Sequence, residues 1–298
     1  MKNRIATVAL LATAGLLCSS TARADELDDA YQALKDAQTA KNADDVLKWA
    51  PEASKLARAI KEAGRLEYAK QVDAFAEYSL STALVGQTDA AKQVALGDAL
   101  VELNPKSQYL AQSTPAYLAA VTKAGGADKQ VAAARKIAAG SPNNEDALYA
   151  LATGLMQKQP GQAAQFASRM VTVMSSKAKP EGFADADWAK KKNLMLGQGY
   201  YIAGAGSCAS NAWADCDRNL RAAIPLVGKD PNMGGTTYFY LGLANYNLGK
   251  AGQIIIDRSK VIEGQKFSEQ GAAMPGPMQA QAARNAAAMK QELAAPRR

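Results

Sequence analysis

The chain contains no histidine, and this absence removes several classes of function before any motif is considered. Ser-His-Asp and Cys-His catalysis use an imidazole as the general base, and many zinc sites use one as a ligand. No nucleophile motif is present that would replace them. The sequence therefore predicts a non-enzymatic protein with no catalytic residues, no metal and no cofactor.

Phosphate-binding loops are also missing. The stretch from Gly242 to Gly249-Lys250 departs from the Gly-x4-Gly-Lys loop, because six residues separate the glycines and Ala251 stands where Ser or Thr is needed. Lys190-Lys191-Lys192 has two interpretations, an anion contact or the exposed face of a helix. Three pairs of carboxylates lack the spacing of a calcium loop and suit the first turns of helices. They are Asp28-Asp29, Asp44-Asp45 and Asp185/Asp187.

Aromatic residues are few, at 6% of the chain, and runs of the strand-favouring residues Val, Ile and Thr are nearly absent. Alanine is abundant instead, and alanine loses the least free energy on entering a helix. A single compact core of this size would normally use more large apolar side chains. The composition therefore predicts an all-α protein built as an elongated stack of helices.

The start of the chain is typical of an export signal. Lys2 and Arg4 precede an uncharged apolar run over residues 5–17. The small residues in Ala22-Arg23-Ala24 match the pattern that signal peptidase reads, so we expect cleavage after Ala24. The sequence predicts a signal peptide over residues 1–24 and a periplasmic or secreted mature protein.

The same apolar run is too short to span a bilayer, and no comparable run follows it. We therefore expect no integral membrane segment. Lipidation of Cys18 is an alternative to cleavage, although the large Leu17 is unfavourable before a modified cysteine.

Charge is distributed unevenly along the predicted mature chain. Residues 25–104 carry 15 acidic and 9 basic side chains, and residues 105–298 carry 13 acidic and 23 basic ones. The overall excess of positive charge is mild and does not favour nucleic acid. The basic half favours an acidic protein or peptide partner, unless these charges only cover solvated helix faces.

Prolines follow successive Ala-rich stretches at regular intervals. Pro105, Pro142, Pro180 and Pro231 are separated by 37, 38 and 51 residues. A period in the thirties is typical of helix-turn-helix repeats, and proline suits their ends because it cannot continue a helix. Turn-forming residues divide each period; they are Gly86-Gln87-Thr88-Asp89, Gly125-Gly126 and Gln159-Pro160-Gly161. Asp89 and Asp128 are predicted to cap the helices that follow.

Two segments carry a clearer repeat motif. Leu196-Gly197-Gln198-Gly199-Tyr200 and Leu241-Gly242-Leu243-Ala244-Asn245-Tyr246 each open a helix pair, and Tyr238 precedes the second. These residues resemble the tetratricopeptide repeat, in which an aromatic, Leu-Gly and Tyr recur on the first helix. The chain departs from that pattern at Asn193, where an aromatic is expected, and at Tyr246, which falls one place late. The resemblance implies a right-handed superhelical stack whose first helices line a concave binding surface.

The repeats are predicted over residues 65–263, with an insertion at residues 205–217 that accounts for the longest interval. Residues 25–64 form N-terminal capping helices. Residues 264–298 form a linker and a last helix near residues 279–293, with turns at Met274-Pro275-Gly276-Pro277 and, earlier, at Gly249-Lys250.

The insertion contains Cys208 and Cys216, the two cysteines of the predicted mature chain. An even number of cysteines in an exported protein predicts a structural disulfide. Trp213 lies between them, and two interpretations remain open for it. It either presents a contact surface or folds back onto the helices.

The tetratricopeptide resemblance implies a scaffold that binds a protein or peptide through its concave surface. On this basis Tyr201, Asn245 and Tyr246 are predicted to face the groove, with Trp213 as a further contact. The alternative is a soluble carrier that binds a small molecule or a glycan in the groove. A carrier should have a deep pocket lined by converging aromatics, and a scaffold should have a shallow open surface. The sequence specifies no oligomeric state.

Overall fold

The computed structural model describes residues 26–250 and 256–295. These residues form twelve α-helices and one short 3-10 turn, and no strand occurs among them. The prediction of an all-helical protein is confirmed. The predicted signal peptide lies outside the described residues, as does the segment that follows the predicted turn at Gly249-Lys250.

The chain divides between Ser141 and Pro142 into two compact units. Unit 1 contains five helices, and its 3-10 turn, Ala63–Arg65, precedes the third. The helices are α1 (residues 26–39), α2 (Ala43–Ala59), α3 (Leu66–Gly86), α4 (Ala90–Leu103) and α5 (Leu110–Gly140). α5 is kinked at Gly126, where φ is +78°. The predicted break at Gly125-Gly126 is therefore present, and Asp128 follows it.

Unit 2 contains seven helices. They are α6 (Glu145–Leu155), α7 (Pro160–Ser176), α8 (Asp185–Ala209), α9 (Trp213–Val227), α10 (Gly234–Lys250), α11 (Arg258–Ala273) and α12 (Gln279–Ala294). The predicted linker from residue 264 onward is wrong over its first ten residues, because α11 continues to Ala273. Gly264 and Gly271 do not break this helix; they are the positions where it lies closest to α10.

The ends of the helices follow the local sequence signals. All four repeat prolines lie a few residues beyond a helix end, as predicted; the helices concerned are α4, α5, α7 and α9. Asn42, Asp89, Asn144 and Asp257 cap helices by accepting hydrogen bonds from backbone N–H groups of the first turn. Pro160 does not lie in a turn but opens α7, where its missing N–H has no cost.

Within each unit, consecutive helices pack against each other. In unit 1, α3 also contacts α5, and α2 contacts α4. In unit 2, the first helices of successive pairs contact one another, because α6 touches α8, α8 touches α10 and α10 touches α12. The backbones of α7 and α9, and those of α9 and α11, do not approach each other in this way in the part of the chain that is described, although the Arg221 side chain of α9 reaches Glu263 and Phe267 of α11. The first helices of unit 2 are therefore closer together than the second helices.

Large aliphatic side chains fill both interiors. The largest fully buried side chains of unit 1 are those of leucines and one isoleucine, namely Leu27, Leu34, Leu80, Leu84, Leu96, Leu100 and Ile137. In unit 2 two methionines join the leucines, and the corresponding residues are Leu148, Leu151, Met170, Met174 and Leu220. The helical apolar spacing seen in the sequence therefore corresponds to buried faces.

Candidate functional site

The predicted disulfide joins the ends of two helices. Cys208 lies in the last turn of α8 and Cys216 in the first turn of α9, and their sulfur atoms are 1.99 Å apart. Both residues are buried. The bond therefore ties the α8–α9 hairpin together at its turn.

The predicted insertion at residues 205–217 is not a loop. α8 continues to Ala209 and α9 begins at Trp213, so three residues connect them, including Asn211 with φ of +59°. In the structure Gly204 and Gly206 are positions of close helix contact, since an added Cβ would lie 2.4 Å from Leu220 Cγ at the first and 2.5 Å from the Pro160 carbonyl oxygen at the second.

Tyr201 and Trp213 pack around this disulfide. Both are partly buried against a cluster formed by the two cysteines, Leu220, Leu241 and Ala244. Burial raises the pKa of Tyr201, and a hydrogen bond with Thr236 of α10 partly offsets this effect. Of the two interpretations of Trp213, the structure favours packing against the helices.

Asn245 does not face a groove, and this prediction is wrong. Its side chain is fully buried. The Nδ2 group donates to Asp217 Oδ1 at 2.6 Å and to the Leu241 carbonyl at 3.0 Å, while Oδ1 accepts from Arg221 and Lys260, each at 3.3 Å. The amide has two donor and two acceptor positions, so all are occupied. The side chain joins α9, α10 and α11 and has no free polar atom for a partner.

Charged groups surround this amide in compensating pairs. Arg221 donates to both carboxylate oxygens of Asp217 at 2.9 Å and contacts Glu263 at 2.8 Å. Its guanidinium also lies over the Phe267 ring, 5.1 Å from the centroid. The hydrogen bond to Asp217 is the main cause of the raised pKa of Arg221, and the bond to Glu263 adds to it. This arrangement holds helices together and leaves little unpaired charge.

Tyr246 belongs to a different contact. Its hydroxyl donates to Glu292 Oε2 of α12 at 2.8 Å and accepts from Lys250 Nζ at 2.7 Å. Lys250 and Glu292 form an ion pair at 3.0 Å. The four predicted contact residues therefore do not form one site: Tyr201 and Trp213 share a cluster, and Asn245 and Tyr246 belong to separate polar contacts between helices.

The three lysines at residues 190–192 of α8 have different surroundings. Lys190 is exposed, whereas Lys192 donates to the Ser175 carbonyl at 3.1 Å and Lys191 lies 3.6 Å from Glu145 and 3.7 Å from Asp146. Lys177 completes the cluster by donating to both Glu145 oxygens at 2.6 and 2.7 Å. Two of the three lysines thus pack against α6 and α7.

The pKa values of the two carboxyl groups in that cluster are shifted in opposite directions. Burial raises the pKa of Asp146, and Lys191 only partly opposes the shift. Burial is the largest single influence on Glu145 and would also raise its pKa, but the hydrogen bond from Lys177, a backbone hydrogen bond and the charges of Lys177 and Lys191 together outweigh it, and the pKa falls. Neighbouring carboxyls with divergent pKa values are a feature of acid–base sites. The surface cavities described below do not reach these two residues.

A row of aromatic rings on unit 1 was not predicted from the sequence. Successive ring centroids are 5.4–6.0 Å apart along the row. The five residues come from α1, from α3 and from the turn before α5, and they are, in order, Tyr68, Tyr31, Phe75, Tyr78 and Tyr109. We call this set the aromatic row. The sequence does contain one indication of this row. Tyr68, Phe75 and Tyr78 are spaced by seven and three residues, which places them on one helix face.

The aromatic row is partly accessible to solvent. Tyr78 is 40% exposed and the other four rings are half-buried. At one end Lys35 lies 4.5 Å above the Tyr31 ring, and Arg65 lies 5.3 Å above the Tyr68 ring. Burial and a hydrogen bond to Asp28 raise the pKa of Tyr68 to about 12. Tyr68 is therefore neutral at physiological pH.

Four surface cavities formed by the described residues have volumes of about 430, 320, 440 and 490 Å³. Among their lining residues there is one aromatic, Phe267. In the described part of the chain, no three Cys, Asp or Glu side chains are placed to share a metal ion. Nor does any helix there have the length and apolar character needed to cross a membrane.

No protein-family model matches the chain, and no curated protein matches it significantly.

Proposed function

We propose that this protein is an exported, non-enzymatic scaffold that binds a protein or peptide through the first helices of its repeats. The aromatic row is the observation that supports this function most directly. Tyrosine is enriched at protein interfaces because its ring supplies a large apolar area and its hydroxyl supplies a hydrogen bond. Five such rings on neighbouring helices offer a partner a continuous and largely preformed surface.

The proposal includes a tetratricopeptide-like, right-handed stack of helix pairs. In unit 2 the backbones of the first helices approach one another more closely than those of the second helices, which is the relation expected when first helices line the inner side of a curved stack. The Leu-Gly positions support the same interpretation. An added Cβ at Gly197 would lie 2.9 Å from Val227 Cγ1, and at Gly242 it would lie 3.0 Å from the Gly264 carbonyl oxygen.

Export is the second part of the proposal. Cleavage after Ala24 would release the mature protein into the periplasm or beyond. The disulfide supports this location, because disulfides persist in oxidising compartments. An acidic partner is proposed from the net positive charge of residues 105–298. Its binding should weaken as salt concentration rises.

A carrier of a small molecule or glycan is the second candidate function. Such a carrier should have an enclosed pocket with converging aromatic side chains. The four cavities favour this function less, because a single aromatic residue is shared among their linings.

The test compares the mature protein with surface variants in a pull-down from the exported fraction of its source cells. Tyr31→Ala with Tyr78→Ala removes two rings of the aromatic row. The control, Leu226→Ala with Ile262→Ala, removes two exposed aliphatic side chains from the second helices α9 and α11 of unit 2. We expect the row variant to lose at least about tenfold in binding of the captured protein, as for removal of hot-spot residues. Equal capture by both variants would contradict the proposal.

A further inference from the structure

A cavity of about 430 Å³ lies in unit 1 where α2 ends and α3 begins. Its volume is within the range of small-molecule sites. The cavity is separate from the aromatic row and shares no residue with it.

The floor of this cavity is apolar. Ala57, Ile60 and Ala69 line it and are each less than 10% exposed. Leu66, the first residue of α3, also lines the cavity but is 42% exposed. A leucine that remains this accessible beside buried apolar groups leaves area that a ligand could remove from water.

The charged residues of the cavity are unequally paired. Arg58 contacts both oxygens of Asp73 at 3.0 and 3.1 Å and donates to the Leu103 carbonyl at 3.0 Å. Ser54 also donates to Asp73. The single carboxylate in the lining is therefore already bound to two donors, and Arg58 is held in place by its own partners.

The two lysines of the lining are the charges that remain. Lys61 has no ion-pair or hydrogen-bond partner among the described residues. Lys70 faces Glu67 at 3.6 Å, with the two side chains 74% and 78% exposed, and an ion pair this exposed is weak. Two available ammonium groups beside an apolar floor are unusual in a segment, residues 25–104, whose charged side chains include 15 acids and 9 bases.

We propose that this cavity binds a small amphiphilic carboxylate, in which an alkyl chain ends in a carboxylate group. The alkyl chain would cover Ile60 and Leu66 and lie along the two alanines. The carboxylate would lie between Lys61 and Lys70, where charge-assisted hydrogen bonds from ammonium groups are available. The lining has an apolar floor on one side and two lysines on the other. An amphiphilic carboxylate contacts both, whereas a purely apolar ligand or a simple anion contacts only one of them.

Octanoate is a suitable probe, with octanol and acetate as matched ligands that keep only the chain or only the charge. The mature protein is titrated with each and followed by amide proton–nitrogen correlation spectra. We expect octanoate to cause saturable shifts at Ile60, Leu66 and Ala69, and both matched ligands to bind at least about fivefold more weakly. Equal binding of octanol or acetate would overturn the proposal, as would octanoate shifts elsewhere or none.

Substitutions then test the two parts of the cavity. Lys61→Gln with Lys70→Gln should weaken octanoate binding about tenfold, and Leu66→Ser about fivefold. Lys55→Gln is the matched control, because Lys55 is 76% exposed and faces Glu52 at 3.5 Å, as Lys70 faces Glu67, but lies outside the cavity. The control should leave affinity unchanged. Circular dichroism melts of each variant show that a loss of binding is not a loss of folding, and unchanged affinity in a folded double variant would refute the site.

Discussion

The two units hold their helices together with different residues. In unit 1 a row of rings links the first helices, and edge-to-face contacts such as Tyr31 with Phe75, at 5.4 Å, leave each ring partly exposed. In unit 2 glycines allow the backbones themselves to touch, as they do between α10 and α11. Ring contacts can adjust because side chains rotate, whereas backbone contacts have no such freedom. Unit 1 should therefore tolerate substitution at its interfaces better than unit 2.

The glycine interfaces also have a local cost. A glycine within a helix destabilises it by roughly 1 kcal/mol relative to alanine. α10 and α11 nevertheless carry such glycines at matched positions, since Gly242 lies against Gly264 and Gly235 lies near Gly271. Close packing between the two helices must offset this loss, so the interface depends on the absence of a side chain.

Gly264→Ala should have the largest effect on stability. The added Cβ would lie 2.9 Å from the Gly242 carbonyl oxygen and 3.0 Å from the Tyr246 backbone nitrogen. Because both are backbone atoms of α10, the helices must separate, and we expect a loss of about 3 kcal/mol. Urea unfolding followed by circular dichroism measures it.

Gly86→Ala is the control from unit 1. A Cβ at Gly86 meets no atom within 4 Å, and the residue ends α3 without a positive φ. Its stability should change by less than about 0.5 kcal/mol. Similar changes in the two variants would mean that the close contact between α10 and α11 does not determine the result.

Loss of the disulfide should have the next largest effect. The bond closes a loop with a sequence separation of 8 residues, so replacing Cys208 and Cys216 with Ser should lower stability by about 2.5 kcal/mol in the chain-entropy model. Thermal melts with and without dithiothreitol measure the change. The reductant should lower the melting temperature of the wild type and leave the double variant unchanged. A thiol assay that finds both cysteines free in the oxidised wild type would contradict the bond.

The helical architecture was accessible from the sequence because its signals are local. Helix ends are followed by proline because proline cannot continue a helix, as at Pro105, Pro142, Pro180 and Pro231. Asp89 caps α4 for the same kind of reason, since its side chain accepts from a backbone N–H three residues away. The disulfide followed from the number of cysteines and needed no information about the fold.

The errors came from residues whose role depends on a distant partner. The stretch over residues 205–217 was predicted as an insertion from the long proline interval, because the sequence does not show Leu220 and Pro160 packed against Gly204 and Gly206. Asn245 was predicted to face a groove from its place in a repeat, but Asp217, Arg221 and Lys260 surround it. The aromatic row was missed because Tyr31 and Tyr109 are far from α3 in sequence.

The two units also differ in how deeply their ion pairs are buried. Glu145→Gln should lower stability by about 1.5 kcal/mol at neutral pH, as for a lost hydrogen bond to a charged group. Glu145 is buried and holds Lys177. In unit 1 the pair of Lys92 with Asp44, at 2.7 Å, is exposed and should contribute much less, so Lys92→Gln is the control. Urea unfolding at several pH values compares them.

The pH dependence of the Glu145 effect has a definite sign. Its pKa in the folded protein is below the ordinary value, so its stabilisation is present above the ordinary pKa and is lost as pH falls through the folded-state pKa. Asp146 should behave oppositely, because burial raises its pKa and its contribution is lost as pH rises. Asp146→Asn should therefore stabilise the protein at neutral pH relative to acidic pH. The same pH trend in both variants would contradict this assignment.

The smallest expected effect concerns the ring contacts themselves. Phe75→Leu keeps an apolar side chain but removes the pairs with Tyr31, at 5.4 Å, and Tyr78, at 6.0 Å. Such pairs contribute about 1 kcal/mol beyond the burial of apolar area. Phe166→Leu in unit 2 is the matched control, because Phe166 is partly buried against a methionine-rich cluster and has no ring pair among the described residues.

Both leucine variants lose a similar apolar volume, so the difference between their unfolding free energies isolates the ring geometry. We expect Phe75→Leu to lose more than Phe166→Leu, by about 1 kcal/mol. Equal losses would show that the rings of unit 1 act only as apolar volume. The aromatic row would then not stabilise unit 1 through its ring pairs, and its partial exposure would be explained better by contact with a partner than by packing between helices.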